Sequence, residues 1–83
     1  MDQLGMQISA TERRTRHEKI KYEIRRRGLS FAKLSEREGL HRSVFAAVSA
    51  ATKRSRRAAR LIADVLDTTP EELWPEIYGD QSD

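Results

Sequence analysis

The chain contains no cysteine, so neither a disulfide framework nor a thiolate zinc site holds its 83 residues together. Aromatic residues are few, with one Trp, two Tyr and two Phe, so any core depends on placing each of them well. No stretch approaches the roughly 18 consecutive apolar residues of a membrane span. The opening "MDQLGMQISA" lacks the basic-then-apolar layout of a secretory signal, and a cytoplasmic protein is the expectation. No alternating apolar and polar run marks a strand. A chain this short buries about 60% of its unfolded surface, so the fold must be a single small unit.

Positive charge is missing from the last part of the chain. All 16 Lys and Arg lie between Arg13 and Arg60. Residues 1–60 set them against six acids and carry +10, whereas residues 61–83 hold seven acids and carry −7. A basic body with an acidic end is the electrostatic footprint of a polyanion binder. The same charges also suit solvated helix faces that happen to be rich in Arg.

What is present reads as five helices. Two capping boxes compete at the start, Ser9 with Glu12 and Thr15 with Glu18. The spacing of Ile20 and Ile24 favours Thr15 and predicts a first helix over about 16–27, ended by Gly28. Ser30 caps a second, short helix with Phe31 and Leu34 inward, and Gly39 stops it. A third begins near His41 or Arg42 with Val44, Phe45 and Val48 inward, and extends to about residue 52. Ser55 caps a fourth, in which Ala58, Leu61, Ile62, Val65 and Leu66 follow helical spacing. Thr69, Pro70 and Glu72 start a fifth, which Pro75 shortens or kinks. The expected organisation is a flexible arm over 1–14, one all-α domain over 15–79 and an acidic disordered tail over 80–83.

The second and third helices have helix-turn-helix spacing. Ser35 is small where the helices cross, Gly39 tolerates the turn, and Phe45 and Val48 pin the third helix to the second. Such a unit presents its second helix to the major groove, although an ordinary helical hairpin would use the same glycine and apolar spacing. On a helical wheel, Ser43, Ala46, Ala50 and Lys53 point away from the inward side, with Arg42 and Ala47 on the shoulders. The expected base-reading set is His41, Arg42, Ser43, Ala46, Ala47 and Ala50. The alanines are expected to be exposed. They are strong helix formers, and their methyls can also touch thymine methyl groups. Arg42 suits a guanine edge or a phosphate. Lys53, Arg54, Arg56 and Arg57, with Ser30 at a helix start, are the expected phosphate contacts.

These residues resemble the Ner family of Mu-like phage DNA-binding regulators and its bacterial relatives. The likeness runs from about His17 to Tyr78 and rests on "RRRGLSFAKLSEREGLHRSVFAAV", on "ARLIADVLDTTPEEL" and above all on "PEELWPEIY". Pro70, Glu71, Trp74, Pro75 and Tyr78 are the specific element. The resemblance implies a five-helix, phage-repressor-like domain that binds a double-stranded operator and controls transcription. It implies repression of phage early genes, or control of host genes as in the bacterial relatives. It also implies two copies on half-sites about one helical turn apart. Many phage repressors place a glutamine where this chain has Phe31, so their base code does not transfer. Trp74 and Tyr78 are expected to close the core under the fourth and first helices, or else to form a partner surface.

Other functions find little support. The two histidines, His17 and His41, lack metal-ligand spacing, and the turn at Gly39 separates Glu38 from His41. No Gly-rich phosphate loop or serine with a plausible base is present. No enzyme activity, metal, cofactor or small-molecule ligand is expected. A membrane-surface role for the first helix would need Ile20 and Ile24, which the core requires. The remaining alternative is a protein-interaction module with an acidic face and an incidental basic one.

Overall fold

Ser9, not Thr15, starts the first helix of the computed structural model, which describes residues 8–79. Both halves of the Ser9 box form: the Glu12 amide donates to Ser9 Oγ at 3.0 Å, and the Ser9 amide donates to Glu12 Oε1 at 3.0 Å. Once that nucleus is capped, each further residue adds a backbone bond, so the helix runs through Thr15. The expected arm over 1–14 is therefore too long. Residues 10–14 belong to α1 (Ala10–Arg26). Residues 1–7 and the expected tail at 80–83 lie outside the described residues.

Five further segments follow: α2 (Phe31–Glu38), α3 (Arg42–Ser49), α4 (Arg56–Val65), α5 (Pro70–Leu73) and α6 (Pro75–Tyr78). Ser30, Ser55 and Thr69 cap α2, α4 and α5 as expected. The expected fifth helix is two one-turn pieces. Trp74 leaves helical geometry at φ −129° and ψ 68°, and Pro75 restarts the chain without an amide to donate. Among the described residues the fold is all-α.

Three helices end in the same way. The residue after the C-cap turns left-handed, and the next amide reaches back over the last turn. In α1 this residue is Gly28, with the Leu29 amide donating to the Ile24 carbonyl at 3.1 Å. In α4 it is Asp67 at φ 59°. In α3 it is Ala51 at φ 65°, with the Thr52 amide donating to the Ala47 carbonyl at 2.9 Å. The Thr52 hydroxyl donates to that carbonyl as well, at 3.2 Å. Consequently α3 stops at Ser49 rather than near residue 52. Ala50 is its C-cap, and Lys53 lies in the following turn and not on the helix.

The core gathers Ile20 and Ile24 from α1, Leu34 from α2, Phe45 and Val48 from α3, Ala58 and Ile62 from α4, and Trp74 and Tyr78 from the end of the chain. Trp74 is fully buried. Ala59 and Ala63 are buried beside Ile62, and their small side chains allow α4 a close approach to its neighbours. Leu61, Val65 and Leu66 are only half-buried and pack at the edge.

An alanine held left-handed costs about 1–2 kcal/mol, against about 0.5–1 kcal/mol for the extra chain entropy of glycine. Ala51→Gly is therefore expected to stabilise the fold by about 0.5 kcal/mol and to raise Tm by a few degrees. Ala51→Val, bulkier and β-branched, is expected to lower it. A urea midpoint that falls in Ala51→Gly would contradict this ending for α3.

Candidate nucleic-acid interface

The turn between α2 and α3 is built by Gly39 and closed by His41. Gly39 sits at φ 79°, and its amide donates to the Ser35 carbonyl at 2.9 Å. His41 caps α3 through Nδ1, which accepts the Ser43 amide at 3.0 Å and lies 2.9 Å from Ser43 Oγ. A nitrogen that accepts an amide carries no proton, so the neutral ring in this geometry bears its hydrogen on Nε2. His41 is thus both a cap and an outward donor. Arg42 and Ser43 are exposed beside it. Ala46, Ala47 and Ala50 are half-buried rather than exposed as expected. A methyl lying close to the helix backbone is easily shaded by neighbouring elements, and Ala50 lines a cleft against α1.

A polar contact holds α3 from behind. Ser49, fully buried, is the last helical residue, and its carbonyl is one of the orphan acceptors of that helix end. The Trp74 indole donates to this carbonyl at 3.1 Å. The Ser49 hydroxyl meets His17 Nδ1 of α1 at 2.8 Å. His17 also stacks on Phe31, with ring centroids 6.2 Å apart, and Phe31 stacks on Phe45 at 6.4 Å. Burial first, then the nearby Lys21 charge, pushes the His17 pKa below its ordinary 6.5, with Glu18 acting weakly the other way. Neither His17 nor Ser49 stands among the sequence-derived site residues. Their signal is positional: 17, 20 and 24 share one face of α1, and 45, 48 and 49 share one face of α3.

The turn after α3 is anchored by the end of the chain. Tyr78 packs edge-on against Trp74 at 5.9 Å, and its hydroxyl accepts the Ser55 amide at 3.3 Å. Lys53 and Arg54 project from this turn and are exposed. The other two expected phosphate contacts face different tasks. Arg57 donates from Nη2 to the Glu38 carbonyl at 2.9 Å, tying α4 to the end of α2. Arg56 lies over the Tyr78 ring at 5.4 Å and 3.6 Å from a Glu71 oxygen, and it shares a cleft with Arg57 and Arg60. Ser30 Oγ accepts the Lys33 amide at 3.1 Å and shares a cleft with Arg42 and with Lys21 and Arg25 of α1. The structure thus brings Ser30, Arg42, Ser43 and His41 together around the start of α3. Lys53 and Arg54 stand at its far end, and Arg56 and Arg57 follow at the start of α4 with Arg60.

Residues 15–83 match the family described as winged helix-turn-helix DNA-binding. The chain belongs to that family. A negative regulator of transcription from Escherichia phage D108 is similar to it, 38% identical over 56 residues, which cover 68% of this chain and 74% of that protein. No solved structure matches. As a helix-turn-helix DNA-binding protein the chain has double-stranded DNA as its partner. Its described residues carry the helix-turn-helix on an all-helical frame without a strand. No helix among them is long and apolar enough to cross a membrane.

Because the His17 pKa is lowered in the fold, the unfolded chain binds more protons between the folded value and 6.5. Stability that is present above 6.5 is then lost as pH falls through that window. Thermal unfolding followed at neutral and mildly acid pH is expected to show a larger Tm drop in the wild type than in His17→Asn, which does not titrate. Parallel curves for the two proteins would remove His17 as the linked group.

Proposed function

We propose that the chain is a Ner-like, sequence-specific repressor of phage or prophage transcription, acting in the bacterial cytoplasm and inserting α3 into the major groove of its operator. The observation that carries this reading is the exposed cluster at the start of α3, where His41, Arg42 and Ser43 stand on a helix locked from behind by Ser49. The likeness to the phage D108 protein, a negative regulator of transcription, supports repression as the outcome. The "PEELWPEIY" signature supports the Ner-like assignment.

In this reading Arg42 forks to guanine O6 and N7, and His41 offers its Nε2 hydrogen to a base edge or phosphate. Ala46 and Ala47 keep the helix slim and touch thymine methyls, with Ala50 at the rim. Lys53 and Arg54 bind phosphate, joined by Ser30 and the amides at the start of α2. Arg57 is first a strut, with further guanidinium donors left for a phosphate. Arg56, drawn toward Glu71 and the Tyr78 ring, is a weaker phosphate contact than Lys53 and Arg54. Two copies occupy half-sites about one helical turn apart.

Selection of duplexes from a random pool, followed by footprinting, tests the reading. The wild-type chain is expected to recover one preferred sequence, with affinity falling steeply with salt at about −0.9 in the log–log slope per phosphate neutralised. Arg42→Ala is expected to relax one base position at a cost of about 1–3 kcal/mol. Equal weakening on all sequences would make Arg42 a phosphate anchor instead. No change in either measure would reject the docking of α3.

A further inference from the structure

The two flanks of α1 carry different chemistry. On one, Arg16 is clamped to Glu76 by paired contacts of 3.0 and 2.6 Å, and Glu23 and Lys19 share a groove with Glu72. On the other, helical spacing aligns Arg14, Lys21 and Arg25. Arg14 and Arg25 are exposed and form no ion pair or side-chain hydrogen bond among the described residues. Lys21 has only a 3.5 Å contact with Glu18. Elsewhere many cations are matched, as in Arg26 and Arg27 with Glu23. Glu18 stands on the same stripe, so this flank sets three cations against one carboxylate; the excess positive charge repels itself in the free protein, and a polyanion relieves that repulsion.

This flank runs beside α3, and a cleft opens at each end of it. One, of about 220 Å³, lies where Lys21 and Arg25 meet Ser30 and Arg42 at the start of α3. The other, of about 270 Å³, lies where Arg13 and Arg14 meet Ala50 and Thr52 at its end. Arg25 lies eleven positions after Arg14, about 16 Å along the helix. The major groove is about 12 Å wide. The spacing of the clefts therefore suits phosphates on the two edges of one groove.

Resting on the reading that α3 enters the major groove, we propose that this flank of α1 is a second DNA-gripping element that straddles α3. Arg25, with Lys21 and Arg42, takes a phosphate of one strand at the start of α3. Arg14, with Arg13, takes a phosphate of the other strand at its end. Base reading stays with α3, and α1 sets its depth and tilt.

The test uses the full chain and the duplex it selects from a random pool. Salt slopes and ethylation interference are measured for the wild type, Arg14→Gln, Arg25→Gln, Arg25→Lys and, on the opposite flank, Lys19→Gln. Circular dichroism verifies that each variant is folded. Arg14→Gln and Arg25→Gln are each expected to reduce the slope by about 0.9 with the selected sequence unchanged. Each should lose interference at a different edge of the footprint, while Arg25→Lys and Lys19→Gln keep the wild-type slope. If both Gln variants keep that slope while the wild type binds one sequence steeply, the α1 grip is overturned and the reading of α3 stands. Loss of the same phosphates by both overturns the straddling. An Arg25→Lys variant as weak as Arg25→Gln assigns the effect to shape rather than charge and overturns it too. A wild type with a shallow slope and no preferred sequence overturns both readings together.

Discussion

Ser49 is the point on which the position of α3 depends. It ends the helix, and its two polar groups bind in two directions: the carbonyl to the Trp74 indole, the hydroxyl to His17. A buried hydroxyl or carbonyl without a partner costs about 1–3 kcal/mol. These bonds therefore reject any placement of α3 that breaks them, more sharply than apolar contacts do. Phe45 and Val48 hold the helix against the core, but an apolar face tolerates small slides. The polar pair fixes how far along that face the helix sits.

The same device recurs at other helix ends. The Glu38 carbonyl at the end of α2 is met by Arg57, the Leu73 carbonyl at the end of α5 by Arg16, and the Ser55 amide before α4 by Tyr78. Each bond satisfies a group that the local helix leaves open, using a side chain from a distant part of the sequence. Side chains of the terminal "PEELWPEIY" segment supply two of these contacts, through Trp74 and Tyr78, and Glu76 adds an ion pair to Arg16. The segment is a clamp: Trp74 and Tyr78 hold the two ends of the α3–α4 turn, and Glu76 holds α1. Burial works to raise the Glu76 carboxyl, but the Arg16 guanidinium, a backbone hydrogen bond and the Arg13 charge together outweigh it, so the group lies below its ordinary range. Stability from that pair is lost only as pH falls well into the acid range, separate from the window in which His17 titrates.

Much of this was legible in the sequence where a single residue decides a local outcome. Ser30, Gly39, Ser55, Thr69 and Pro70 each stand where their chemistry predicts, and Ile20, Ile24, Leu34, Phe45 and Val48 are inside. Three things were not legible. The choice between two capping boxes turns on how far α1 continues backwards, and the apolar spacing near Ile20 carries no information about that. The end of α3 rests on Ala51 taking a conformation that alanine disfavours, so no glycine marks it. His17 and Ser49 are polar residues at apolar positions, and periodicity read from hydrophobicity alone passes over both. Among the cations, sequence supplies the charge but not the neighbour. Arg56 and Arg54 look alike in the chain and differ only in what the fold places beside them.

The helix proposed to read DNA is short, and this shapes how the protein would recognise its site. Eight residues span about 12 Å, comparable with the width of the groove that α3 would enter. His41 and Ser43 spend part of their hydrogen-bonding capacity on each other, which leaves Arg42 as the one fork able to make a bidentate base contact. In the proposed docking, methyls on Ala46 and Ala47 would discriminate weakly. A helix with so little polar equipment cannot find its register from base contacts alone. Register must come from contacts outside it, to a backbone whose shape depends on sequence. That requirement explains why a domain with few aromatics commits Trp74, Tyr78, Phe31 and Phe45 to positioning α3. When direct contacts are few, an error of an ångström in the depth or tilt of the helix would forfeit most of them.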